Sequence, residues 1–459
     1  MTPEPHPIRH TLLFYAAVLV AVLLFMARPA SFDGTLADWP RFEPNSEDAP
    51  TMTAQEAQDI LQAYTETTSA PLLPPALDTA VQLATEVPQA KEATPADEPL
   101  EKWPLQSGAY DRAAVGQFLH PNLQLQGSDR AFAWLGNFFT SLNESHRKPP
   151  IHVIHYGDSQ IEGDRITGYL RNAWQAIWGG GGPGLLSPLS PVPSLAMRQS
   201  WTGSWNRHAR FGKRDSTVEH TRYGLMAAFA QPLSPVVDTL ESAASLRFEP
   251  HPRGYRRNRE FNGLHVILGQ VDSATTLHYA LNGMAEQRLP LRADSSAQFV
   301  SVPLEALDTL AFESLEVRFS GGHPEVNGIG MWADSGVVVH NVAMRGSSGT
   351  LFRQLDRVQL TKQLRTFRTE LVMLQYGGNT VPYIESAEAA ERYGSWFSAQ
   401  IKLFQTLLPD VPILVIGPSD MARKSGTTME TYPQLTLVRD ALKEAALAQD
   451  ALEKAIEMA

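Results

Sequence analysis

A change of hydrophobic period along the chain constrains its fold more than any other feature. Residues 151–156 (IHVIHY) read as a strand that runs straight into Gly157-Asp158-Ser159. Immediately afterwards Ile161, Ile166, Tyr169, Leu170, Ala173, Trp174 and Ile177 recur three to four residues apart, the spacing of a helix over 160–178. Residues 131–142 read as an amphipathic helix. The α/β pattern returns later, with strands at 337–342, 370–375 and 412–416 and helices at 351–367 and 392–407. Strands alternating with helices predict a mostly parallel sheet. The middle follows another rule. Short β-prone runs stand at 264–268, 275–281, 299–303 and 315–319, and Asn282-Gly283 is a hairpin signal. The predicted class is therefore α/β. Its parallel sheet is built from 110–204 and 326–459 and interrupted by an inserted β-sandwich at 205–325.

The N-terminal quarter is a different material. Residues 11–27 (TLLFYAAVLVAVLLFMA) are 17 uncharged, mostly apolar positions between Arg9 and Arg28. That is the lower limit for a membrane-spanning helix. The expectation is an anchor within 1–28, with a cleaved signal peptide as the alternative, and the bulk of the chain extracytoplasmic. Between residues 29 and 104 there are 11 prolines, and 14 acidic side chains against three basic ones. Such a composition buries too little apolar surface to offset its ordering entropy, so 29–109 is expected to be a linker. Only residues 53–65 have helical spacing within it.

Composition also excludes functions. The chain has no cysteine, so it has no disulfide, no thiolate zinc site and no thiol nucleophile. A formal net charge of -11 argues against a nucleic-acid partner. No metal site and no cofactor are expected. One basic patch stands out at Arg253, Arg256, Arg257 and Arg259, read as solvated, with contact to an anionic glycan as the sharper alternative. Trp201, Trp205 and Trp332 read as core side chains, with sugar stacking as the alternative.

The chemistry-bearing residues follow strands. They are Gly157-Asp158-Ser159, then 345–349 (RGSSG), then 376–380 (YGGNT). In open α/β sheets, ligands bind beyond the carboxyl ends of the strands, where these three loops are expected to meet. A serine hydroxyl needs a base, and its tetrahedral intermediate needs donors aimed at the oxyanion. Ser159 reads as the nucleophile at a helix start. Gly349 offers a backbone N–H, with Gly346 as a second candidate, and Asn379 offers a side-chain amide.

These motifs resemble the GDSL/SGNH hydrolases. The resemblance implies a flavodoxin-like sheet with helices on both faces, Ser159 as nucleophile, and an oxyanion hole of Ser159, Gly349 and Asn379. Gly157, Asp158, Gly346 and Gly378 are the neighbouring motif residues. A β-insert between the first and second motifs resembles the peptidoglycan O-acetylesterase branch, whose members carry a carbohydrate-binding-like jelly roll there. That implies a cell-envelope polysaccharide as partner and removal of O-acetyl groups as the activity.

One departure matters. The family carries its base in a late Asp-x-x-His block, but the last histidine here is His340, and no catalytic histidine is found. Residues 434–459 read as a single helix without the closing strand, as though the domain stopped short. His155, four residues before Ser159, reads as a core or edge histidine. The alternatives to an active esterase are a silent glycan-binding protein and a polysaccharide O-acetyltransferase or its accessory.

Overall fold

The computed structural model describes residues 125–454, apart from 145–148, 213–214, 216, 234–243, 272–274 and 295–297. The expected anchor at 11–27, the linker, the short helix at 53–65 and Ile456 lie outside the described residues. Among the described residues no helix is long and apolar enough to cross a membrane.

Five strands, β1 (Ile151–Gly157), β2 (Val337–Ala343), β3 (Thr369–Gln375), β4 (Ile413–Ile416) and β5 (Leu452–Lys454), form one sheet in the order β2-β1-β3-β4-β5. Every neighbour pair is parallel. All seven residues of β1 are buried, because both faces of the sheet are covered. Ile151 and Val153 pack with α1 (Asp129–Glu144) and α2 (Arg165–Trp178) through Leu135, Phe138, Leu170 and Trp174. Ile154 and Tyr156 point the other way. They meet α3 (Arg357–Thr366), α4 (Ala387–Leu407) and α5 (Leu435–Leu447) through Leu360, Phe404 and Leu442. This alternation is the two-residue period of a strand, read here against helices on both sides.

Between α2 and β2 the chain builds two antiparallel sheets. One orders Gln298–Pro303, Gly263–Leu268, Val326–Trp332, Ala228–Pro232 and Trp205–Ala209 side by side, and the other orders Met197–Thr202, Ser245–Pro250, Leu315–Ser320, Thr276–Leu281 and Gln287–Pro290. Leu264, Val266, Leu268 and Ile329 of the first share a core with Leu246, Phe248, Leu277 and Val317 of the second, as in a sandwich. Asn282 and Gly283, at φ 50° and 70°, make the tight turn that the Asn-Gly pair signals.

Three local readings change. The helix after Ser159 begins only at Arg165, because Gly163 (φ 75°) and Asp164 (φ 63°) are left-handed and break the turn. Residues 351–367 split into a 3-10 turn (Phe352–Gln354) and α3, which Asp356 caps by accepting the Gln359 N–H at 2.8 Å. At the C-terminal end α5 stops at Leu447, Asp450 turns the chain at φ 50°, and β5 closes the sheet on β4. The Ala/Leu/Glu/Lys composition there favours helix locally. Pairing with an open sheet edge overrides it.

Candidate active site

Strand register decides which loops can meet. Gly157 lies level with Ala343 on one side and Gln375 on the other, and Gln375 is level with Ile416. The loops at 158–164, 344–350, 376–383 and 417–421 therefore leave one edge of the sheet together.

Side chains then tie the loops to each other. Asn379 donates its amide to the Ser347 carbonyl at 3.1 Å, and Tyr393 donates to the Ser348 carbonyl at 2.9 Å. Gly378 lies close enough to the serine loop that a Cβ there would sit 3.6 Å from Asp158 Oδ2 and 3.5 Å from Gln160 Nε2. Arg345 binds Glu162 at 2.5 Å, joining the first and second loops.

A buried polar pair fixes the serine turn to the sheet. Arg171 grips Asp164 with two hydrogen bonds of 2.7 and 2.8 Å and donates a third to the Val339 carbonyl at 2.7 Å. Asn341 adds bonds to Asp164 and to the Ile161 carbonyl at 3.1 and 2.8 Å. Asp164 thus stands just before α2 as a buried partner of Arg171.

A second chain of hydrogen bonds has a direction. Gln375 Oε1 can only accept, so His155 Nε2 carries the proton in their 3.0 Å bond. His155 Nδ1 then accepts from the Thr167 hydroxyl at 3.0 Å. Gln375 passes its amide N–H to Gln160 Oε1 at 3.4 Å, and Gln160 donates to the Ser419 hydroxyl at 2.9 Å. Both nitrogens of His155 are thus occupied, and burial lowers its pKa to about 4. It cannot serve Ser159 as base from this position. Sequence reasoning missed Gln160, Gln375 and Ser419. The clue was a glutamine ending the buried run TELVMLQ of β3, where an unpaired amide would be costly.

Ser159 itself is half-buried, and its hydroxyl has no hydrogen-bond partner among the described residues. Its carbonyl accepts from Glu162 at 3.3 Å, so a 3-10 turn rather than a long helix follows it. Asp158 is buried and accepts the Gln160 N–H at 2.9 Å; burial raises its pKa to about 6.

The two glycine candidates differ. Gly349 (φ 78°) donates its N–H to Ser347 Oγ at 3.1 Å, and a Cβ on it would stand 2.6 Å from the Tyr376 ring. Gly346 (φ 77°) has an N–H with no partner among the described residues. It is the freer donor, while Gly349 is a packing requirement.

The remaining histidines of the parallel sheet are elsewhere. His152 and His340 bond to each other at 2.7 Å, and the Leu185 N–H donates to His340 Nδ1 at 3.0 Å. They stack with Phe367 beside Trp332, which is buried in the core, while Trp201 is exposed. Among the described residues no group of His, Asp or Glu has the arrangement of a metal site.

This is an α/β sheet with a polar, loop-built carboxyl edge and a serine at its first turn. No protein-family description and no curated protein matches the chain. Among solved structures it resembles one described as a peptidoglycan O-acetylesterase, with a TM-score of 0.54 and 18% identity over 72% of this chain and 85% of that one. That likeness shows a shared esterase-type fold. A family two carbohydrate esterase from Cellvibrio japonicus also matches, at 8% identity over 56% of this chain and 89% of that one, but its TM-score of 0.21 carries no argument.

Proposed function

We propose that this chain is a serine esterase of the SGNH/GDSL type that removes O-acyl groups, O-acetyl in particular, from a cell-envelope polysaccharide. The observation that carries the reading is the free hydroxyl of Ser159 at the edge where four strand-end loops are bonded together. The fold shared with a peptidoglycan O-acetylesterase supports the choice of substrate class. In this reading Ser159 attacks the ester carbonyl. The Asn379 amide and the Gly346 N–H face the oxyanion, since the Gly349 N–H is taken by Ser347. Gln160, held by Gln375 and Ser419, fixes the turn that presents the serine. The membrane anchor at 11–27 and an extracytoplasmic body belong to the same proposal; a reporter fused after Ala459 that works only in the cytoplasm overturns them.

The second reading is a silent glycan-binding protein. It is favoured by His155, whose two ring nitrogens are spent on Thr167 and Gln375. One experiment separates the two. Without a base, a Ser-based site retains only the residual catalysis of its oxyanion donors, ~10³–10⁴ over water. If no base reaches Ser159, the chain hydrolyses p-nitrophenyl acetate only at that residual rate, and S159A changes it little. Added imidazole should then raise acetate release from O-acetylated peptidoglycan in the wild type and not in S159A. Equal responses of the two proteins remove Ser159 as nucleophile and leave the binding reading. Strong activity without imidazole that S159A abolishes means that a base does reach the serine.

A further inference from the structure

The charge of this chain is negative, yet one face beside the serine turn is built from cations. Three arginines surround the His251 segment: Arg253 lies two residues on and bonds the His251 ring through its backbone N–H, Arg259 bonds the His251 carbonyl, and Arg198 lies across the ladder from Glu249. Arg259 donates to the His251 carbonyl at 3.4 Å. Arg198 and Arg253 both stand close enough to hold the His251 imidazole below its ordinary pKa, behind the larger effect of its partial burial. The Arg253 N–H donates to His251 Nδ1 at 3.2 Å, which fixes the ring in place.

Carboxylates that might neutralise this group are engaged elsewhere. Glu260 is taken by Arg256 at 2.9 Å, with Arg257 at 3.8 Å. Glu249 lies opposite Arg198 in the strand ladder but is held by Arg247 at 2.9 Å. Among the described residues Arg198, Arg253 and Arg259 form no ion pair. Like charges held together without a counter-ion repel one another, and a bound anion relieves that repulsion.

The cluster adjoins the candidate active site through the backbone. Leu195 donates its N–H to the Gly163 carbonyl at 3.0 Å, four residues after Ser159. Gly254 packs against Leu195 so closely that a Cβ would meet the Leu195 carbonyl at 2.7 Å. Tyr255, next in the chain, lies near enough to Asp164 to feel its charge. Backbone contacts thus link the arginine segment to the serine turn.

We propose that Arg198, Arg253 and Arg259 form a subsite for an anionic group, carboxylate or sulfate, on the glycan chain that carries the ester to Ser159. The proposal rests on the esterase reading only for what the substrate does next; the binding itself needs no turnover. A planar guanidinium matches a two-oxygen anion with paired hydrogen bonds, which an ammonium does not. The subsite therefore selects acidic glycans over neutral ones of equal length.

The test is calorimetric binding to the full chain, with a hexameric oligogalacturonate, a sulfated hexasaccharide and neutral cellohexaose as probes, at about 20 mM and about 200 mM salt. The anionic probes are expected to bind more tightly than cellohexaose and to weaken as salt rises. The double variant Arg198→Glu, Arg253→Glu should lose about tenfold or more in anion affinity, with cellohexaose unchanged. Arg253→Lys should keep the salt dependence while losing part of the affinity. Whichever anionic probe binds more tightly identifies the group, carboxylate or sulfate. Equal binding of charged and neutral probes, or anion binding indifferent to the double variant, overturns the subsite. Acetate release measured in parallel keeps the two readings apart. Charge-selective binding without Ser159-dependent release, even with imidazole added, preserves the subsite and removes the esterase. Release from a neutral acetylated glycan at the same rate as from an acidic one does the reverse.

Discussion

The parallel sheet and the antiparallel pair bury polar groups on different terms. In β1 every position is buried, so His152 and His155 have nowhere to meet water and must find partners inside. In the antiparallel strand Leu315–Ser320 burial alternates, and Arg318 and Glu316 stand on the half-exposed side. That strand places its polar residues where solvent can reach them. The parallel sheet commits its own to fixed networks, and these are the networks that shape the loops at its carboxyl edge. A polar substitution should therefore be expensive in β1 and cheap on the half-exposed side of Leu315–Ser320.

The largest expected contrast is between two ion pairs. Arg171 and Asp164 are almost wholly buried, at 1% and 4% side-chain exposure, while Arg318 and Glu286 are more open, at 11% and 25%. Arg171→Ala strands a buried carboxylate and should cost about 3–5 kcal/mol in urea unfolding. Arg318→Ala should cost about 1 kcal/mol or less. Equal losses would break the comparison.

Next comes a contrast of glycines with similar left-handed angles. Gly349→Ala meets the Tyr376 and Phe397 rings at 2.6 and 2.8 Å, whereas nothing lies within 4 Å of a Cβ on Gly283 in the hairpin. Backbone strain of ~1–2 kcal/mol applies to both, and overpacking adds ~1–3 kcal/mol only at Gly349. Thermal melts of the two variants measure the difference.

A last effect sharpens the comparison through pH. His155 has a folded pKa of about 4, below the value of 6.5 expected when unfolded. The unfolded chain then binds more protons between those values. Its contribution is full above pH 6.5 and falls as pH drops toward 4, by about 1.4 kcal/mol per unit. His155→Gln should lower stability at pH 7 but flatten the acid slope of the unfolding free energy by that amount. A slope unchanged by the variant would mean that folding does not alter how readily His155 binds a proton.

What could be read from the sequence was local. The strand entering Gly157-Asp158-Ser159, the alternation after residue 337 and the Asn282-Gly283 turn each depend on a few adjacent residues, and each is present. The unread parts depend on distant partners. Nothing near Asp164 announces that Arg171 and Asn341 will hold it in a left-handed turn. Nothing in the Ala/Leu-rich tail announces that β4 leaves an edge open for Leu452. The hairpin of Ala422–Ser425 and Thr428–Thr431 is exposed throughout and has no apolar period to betray it. Within the candidate site the serine, glycines and asparagine were legible as motifs. The glutamine relay that fixes the turn was not, because its members come from three separate strand ends.

The strand order sets a timetable for synthesis. β1 is made early, but its two neighbours, β2 and β3, are encoded after the whole antiparallel segment. By the time β2 leaves the ribosome, every strand of both antiparallel sheets already exists. β1 spends that interval as an apolar strand with both edges open, the condition that invites pairing with a foreign chain. The last piece, β5, then pairs with β4 on one side and, through Glu453, with Gln126 on the other at 2.9 and 2.8 Å. The first and last described segments of the chain are thus joined side by side, so the sheet's far edge is complete only when both ends of the domain have been made.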